Sequence, residues 1–164
     1  MSLPHGRAWV RVGIVFVVVV ALDQATKAII RSSIPRGSSE KFFLGINLVN
    51  TRNNGVAFGL LSGGGGVVIA IIAVALVALV AYFATHADKP LLWLPTGLLL
   101  GGAVGNLLDR VRGDAVTDFI DLPLWPPFNV ADMAITFGVL SLLYALEAPR
   151  GRRGRDDADA HEAS

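Results

Sequence analysis

Apolar positions along the chain gather into four blocks, at about 10–30, 67–83, 91–108 and 130–146, separated by polar or mixed stretches. A helix needs about 20 residues to cross a hydrocarbon core of about 30 Å, and each block approaches that length. The second block carries no charge, the third holds Pro95 in its opening turn, where proline is tolerated, and the fourth is charged only at Asp132. The first is dense in valine but ends on Asp23, Gln24 and Lys27. Between the first two blocks, Leu44, Ile46 and Leu48 alternate with Gly45, Asn47 and Val49, a period that predicts a strand. Asn54-Gly55 reads as a hairpin turn, so a small sheet is expected over 42–61, with Phe42, Phe43, Leu60 and Leu61 resting at an interface. The glycines at 62–66 read as a flexible entry to the second block. They do not form a phosphate loop, because no Lys-Ser/Thr follows.

Composition turns these blocks into membrane spans. The 164 residues are 53% hydrophobic and 16% charged, whereas a soluble domain is about 25% charged. One domain over 1–148 is expected, followed by a charged, disordered tail at 149–164. A cleaved secretory signal is the competing account of the first block, since Arg7 and Arg11 precede an apolar run over 12–22. Asp23, Gln24 and Lys27 continue that run at helical spacing, and no clean small-x-small site follows it. Four spans place both termini on one side. Arg7 and Arg11 with Arg150, Arg152, Arg153 and Arg155 assign that side to the cytoplasm, against the opposing Arg31, Arg36, Lys41 and Arg52. Residues 31–66 and 109–129 then face outward. The absence of cysteine excludes disulfides, thiolate metal sites and a cysteine nucleophile, and three scattered histidines argue against a histidine metal site.

The remaining chemistry is carboxylic. Asp109, Asp114, Asp118 and Asp121 crowd into residues 106–122, and Asp23 and Asp132 lie near the outer ends of two of the spans. Each has an ordinary explanation when taken singly. Asp132 fits the third position of a helix capped by Asn129, Asp118 and Asp121 fit solvated loop acids, Asp109-Arg110 fits a helix-end pair, and Asp23-Gln24 fits a packing notch. Taken together they converge on one interface, where ionisable groups cost a few kcal/mol each and face a cavity or a partner. Two carboxylates held close cannot both ionise cheaply, so the pair shares a proton. Such a pair can activate water with one member and protonate a carbonyl oxygen or leaving amine with the other. Spacing alone leaves open which two aspartates form it.

Five segments in order carry a resemblance: "DQATK" at 23–27, "NTRNNGVAF" at 50–58, "GGAVGNLLDR" at 101–110, "VTDFID" at 116–121 and "FNVADMAIT" at 128–136. With them the chain resembles the bacterial signal peptidase II family of intramembrane aspartic proteases. Outside the resemblance lie the first few residues and the tail after Glu147, and Asn54-Gly55-Val56 departs mildly from the smaller residue common before Ala57. The resemblance implies an all-α membrane protein with a small β element, a four-transmembrane-helix bundle plus a periplasmic β-cradle. It implies Asp118 and Asp132 as catalytic residues, with Asn53, Asn106, Arg110 and Asn129 lining a substrate groove and Asp23 supporting it. Asp109 is then expected to hold Arg110, while Asp114 and Asp121 are structural or solvated. The implied partners are a diacylglyceryl-modified prolipoprotein, cut just before its lipidated cysteine, and membrane lipid. Neither a cofactor, a metal nor a nucleic acid is expected. The protein is expected as a monomer in the inner membrane, its active site near the outer face. Of the pair, Asp132 sits at the positive end of a helix dipole, which favours its charged form, so Asp118 is expected to hold the proton. A small transporter or channel subunit using the same acids as an ion site is the competing class. It would need polar residues along a path, and 67–100 is almost bare of them. A lipoprotein-binding adaptor is a third, but binding an acylated peptide needs no shared proton.

Overall fold

The computed structural model describes residues 3–53, 65–113 and 115–147. In chain order these form α1 (Leu3–Ser33), β1 (Ser39–Phe43), β2 (Ile46–Asn53), α2 (Gly65–Thr85), α3 (Trp93–Gly113), β3 (Val116–Leu122), β4 (Trp125–Phe128) and α4 (Val130–Glu147). The fold is mostly helical with one small antiparallel sheet. The expected turn at Asn54-Gly55, Leu60, Leu61, Asp114 and the tail at 149–164 lie outside the described residues.

Among the described residues two helices are long and apolar enough to cross a membrane, His5–Ser33 and Val130–Glu147, while Ile69–Thr85 is apolar but shorter. Their apolar side chains mostly point outward. Val10, Ile14, Val17 and Leu22 on α1, Val74 and Val77 on α2, and Phe137, Leu140 and Leu143 on α4 are all exposed. A contiguous apolar surface of that extent is abnormal in water and ordinary against lipid.

The helix α3 packs between α1 and α4 and does so through glycine. A Cβ on Gly97 or Gly101 would lie 2.7 Å from the Cβ of Val15 or Val19 on α1, and one on Gly102 would lie 2.5 Å from the Ala131 carbonyl oxygen of α4. Lipid tails give helices no hydrophobic reason to associate, so close backbone approach through small residues supplies the packing. Ala8, Val12, Phe83, Ala87 and Leu92 close one end of the bundle, with Trp9 edge-on to Phe83 at 4.8 Å between centroids. Gly102→Val should therefore lower the melting temperature in micelles by several degrees, as overpacking costs about 1–3 kcal/mol. Gly13→Ala, which meets nothing within 4 Å, serves as the control and should leave it unchanged or slightly raised.

The sheet runs in the order β1-β2-β3-β4, every pair antiparallel. The expected strand across 44–49 begins at Ile46 instead. Leu44 and Gly45 have φ of 43° and 82° and make the two-residue turn from β1 to β2. Of the flexible entry expected at 62–66, Gly65 and Gly66 belong to α2 instead, and 62–64 lie outside the described residues. Residues 116–128, which read from sequence as loop, contribute two strands. Leu48 pairs with Ile120 across β2 and β3, and Phe119 seats the sheet on Ile30 and Ile34 at the end of α1. Pro126 and Pro127 are accommodated because β4 is an edge strand, where a missing N–H is harmless.

Candidate active site

The site is built around the start of α4. Asn129 precedes the helix, and its Oδ1 accepts the Asp132 backbone N–H at 3.0 Å. Asp132 Oδ2 reciprocally accepts the Asn129 N–H at 3.2 Å. This is a capping box with aspartate in the third position. A further N–H, that of Ala131, donates to Asp23 Oδ1 at 3.0 Å. The ordinary reading of Asp132 as a helix-start acid is thus true, but only one of its oxygens is used that way. Its Oδ1 receives the Asn106 Nδ2 of α3 at 2.7 Å.

Asp118 reaches the same place from β3. Its side chain is buried, with the residue 2% exposed. Its Oδ1 accepts Asn129 Nδ2 at 2.7 Å, and its Oδ2 accepts Asn53 Nδ2 of β2 at 3.1 Å. Asn129 therefore holds Asp118 with its side-chain amide and Asp132 with its backbone and side-chain cap. Burial pushes the Asp118 carboxyl up to about 6, the Asn53 hydrogen bond opposes this, and the negative charge of Asp132 adds to the rise. Below about pH 6 the group is mostly protonated and above it mostly ionised.

Beneath the two carboxylates lies a buried ionic floor. The Lys27 ammonium of α1 is fully enclosed and gives its three protons to Asp23 Oδ2 at 2.9 Å, Asp109 Oδ2 at 3.1 Å and Asn106 Oδ1 at 3.0 Å. Asp109 also accepts the Thr117 N–H at 3.0 Å and Gln24 Nε2 at 3.3 Å, with Arg31 Nη1 at 3.6 Å. Among the described residues no buried side-chain polar atom lacks a partner. The expected Asp109–Arg110 pairing is not formed. Asp109 turns inward to Lys27, whereas Arg110 Nη1 donates to the Asn106 carbonyl oxygen at 3.3 Å. Asp23 is fully buried, with its oxygens taken by Lys27, Gln24 and Ala131, so it lies under the site rather than on its surface. Asp121 is half-buried on the outer strand segment and accepts Asn47 Nδ2 at 3.3 Å. Sequence reasoning missed Lys27 as a member of the site. Its spacing of four from Asp23 on one helix was the available signal. Among the described residues no three His, Cys, Asp or Glu side chains are grouped to hold a metal ion.

Comparison with known proteins bears on this arrangement. Residues 15–147 match the family model described as signal peptidase (SPase) II. A lipoprotein signal peptidase of Moorella thermoacetica is 44% identical over 140 residues, covering 84% of this chain and 93% of its own. One of Syntrophomonas wolfei is 41% identical over 141 residues, covering 84% and 95%. Among solved structures, a bacterial membrane enzyme determined by the in meso method at 1.9 Å superposes with a TM-score of 0.79 at 36% identity, covering 84% of this chain and 93% of that one.

Proposed function

The chain belongs to the signal peptidase II family, a membrane protease that cleaves lipoprotein signal peptides, and we propose that Asp118 and Asp132 are the two aspartates with which it does so. The observation that carries this reading is the grip of Asn129 on both carboxylates, its side-chain amide donating to Asp118 at 2.7 Å and its backbone N–H to Asp132 at 3.2 Å. The substrate is a prolipoprotein whose cysteine already bears a diacylglyceryl group, cut on the N-terminal side of that cysteine. Both acyl chains stay in the bilayer and hold the scissile bond at the depth of the pair.

Cleavage then follows from the placement of one proton. Ionised Asp132 takes a proton from a water molecule as its oxygen attacks the scissile carbonyl carbon, and protonated Asp118 gives its proton to the carbonyl oxygen. Proton return through the pair to the departing amine breaks the carbon–nitrogen bond and resets the shared proton. Asn53 and Asn129 hold Asp118, Asn106 holds Asp132, and Arg110 at the rim orients the substrate backbone, all supported from below by Asp23. No metal or cofactor enters these steps.

The protein works as a monomer of four spans in the inner membrane, its peptidase domain over 1–148 and the charged tail at 149–164 in the cytoplasm. The outward apolar faces of α1, α2 and α4 support this disposition, as do Arg7 and Arg11 at the opposite end of α1 from the sheet. The sheet and the pair then lie at the outer, periplasmic face.

The pH profile tests the shared proton. Deprotonating Asp118 removes the acid that the reaction needs, so kcat/KM should fall as pH rises above about 6. The loss should approach tenfold per pH unit, as expected for one essential proton. A profile flat from pH 5 to 9, with purified protein and lipidated substrate, would count against a protonated aspartate as the acid.

A further inference from the structure

The buried floor does more than balance charge, because its hydrogen bonds have a direction. An asparagine amide can present either its oxygen or its NH₂ to a neighbour, and one face of Asn106 looks at Asp132. Its Oδ1 accepts from two donors, Lys27 Nζ at 3.0 Å and Asn129 Nδ2 at 3.2 Å. An ammonium can only donate, so the oxygen must face Lys27 and the NH₂ must face Asp132, where it donates at 2.7 Å. A donor at that distance favours a carboxylate without a proton. If the amide turned over, its oxygen would meet Asp132 and favour the protonated acid there.

We infer that Lys27 is a positioning residue of the protease: by locking the amide of Asn106, it keeps a donor against Asp132 and directs the shared proton to Asp118. Lys27 touches neither carboxylate of the pair; its charge by itself lowers the Asp118 carboxyl, so the direction of the effect comes through Asn106. The inference rests on the reading of Asp118 and Asp132 as the catalytic pair. Charged groups on the elements packed around the pair are Asp23, Lys27 and Arg31 on α1, Asp109, Arg110 and Arg112 on α3, the last donating to Gln24, and Asp121 on β3, which accepts from Asn47. Arg52 of β2 donates instead to the Gly113 carbonyl oxygen at 3.3 Å. Among them only Lys27 donates to the side chain of Asn106.

Lys27→Met alone would leave Asp23 and Asp109 without their cation and is expected to fold poorly. The test therefore uses Lys27→Met/Asp109→Asn, which removes one charge of each sign, compared with Asp109→Asn. Asn106→Leu is the second variant; it deletes the relay and leaves the Lys27 ion pairs intact. Each is assayed on lipidated prolipoprotein, and the carboxylic acid infrared band is followed with pH. Expected is a kcat lower by about 10–100-fold, relative to Asp109→Asn for the double variant and to the native protein for Asn106→Leu, the value of one strong hydrogen bond. KM of the Lys27 variant should stay within about threefold, because Lys27 is fully enclosed and touches no substrate. The acid band, removed by Asp118→Asn in the otherwise native protein, should now be removed by Asp132→Asn instead. A charge-balancing role alone would leave the band on Asp118 and kcat at the reference value, that of Asp109→Asn for the double variant and of the native protein for Asn106→Leu, and that result in either variant overturns the inference. Failure of the pair itself would look different, as Asp118→Asn or Asp132→Asn would then retain cleavage in the native background.

Discussion

Asp118→Asn and Asp132→Asn should each lower cleavage of lipidated prolipoprotein by at least about 10³-fold, with protein that still inserts and melts cooperatively. General acid and base catalysis contributes about 10²–10⁴-fold per group, and here one residue is needed as acid and the other as base. An amide is nearly the same size as a carboxyl group and cannot carry the proton in either direction. The fold should tolerate both changes for identifiable reasons. In Asp118→Asn the new amide keeps an oxygen for one of the two amide partners, and burying a neutral amide costs less than burying a carboxylate. In Asp132→Asn the side-chain oxygen still caps the Asn129 N–H, and the losses are the charge at the helix start, worth about 0.3–1 kcal/mol, and the acceptor for Asn106 Nδ2. Cleavage by purified protein, beside thermal melting of the same samples, measures both quantities. Processing near the native rate by either variant would exclude the two-aspartate mechanism.

A prolipoprotein lacking the diacylglyceryl group should be cut at least about 10³-fold less efficiently than its lipidated counterpart. Each buried CH₂ contributes about 0.8 kcal/mol, so two acyl chains supply far more binding than the short peptide around the scissile bond. They also fix depth. The pair sits where β3 meets the start of α4, at the level where helix gives way to sheet, and a substrate tethered in the bilayer meets it in a narrow range of heights. Binding energy from such remote groups lowers the barrier by positioning the reacting bond. The comparison requires matched peptides at equal concentration in bilayers. Equal rates for the two would mean that the lipid is not what the enzyme reads.

The helices were legible because each apolar block is local and unbroken, and hydrophobicity alone specifies a helix in lipid. The sheet was only half legible. β2 pairs with β3 across a long stretch of chain, as in Leu48 with Ile120, and no local pattern announces such a partner. The prolines of β4 are permitted because that strand ends up at an edge. For the same reason Asp118 read alone as a solvated acid: its burial comes from the sheet and α4 closing over it, which are tertiary events. Asp132 was legible as a cap; one oxygen serves that role and the other accepts Asn106 Nδ2. The pairing expected between Asp109 and Arg110 failed on helix geometry, since adjacent residues do not face each other on a helix. Lys27 was visible as four residues from Asp23. Its bonds to Asp109 and Asn106 cross from α1 to α3 and depend on glycines that let the two helices touch.

The location of the shared proton is the most direct test of the central claim. Infrared titration of the purified protein in bilayers, repeated with Asp118→Asn and Asp132→Asn, assigns any carboxylic acid band to its residue. One protonated carboxyl that titrates near pH 6 and disappears in Asp118→Asn is the result expected from the buried geometry. A protein with no acid band above pH 5, or one whose band survives Asp118→Asn unchanged, would contradict it.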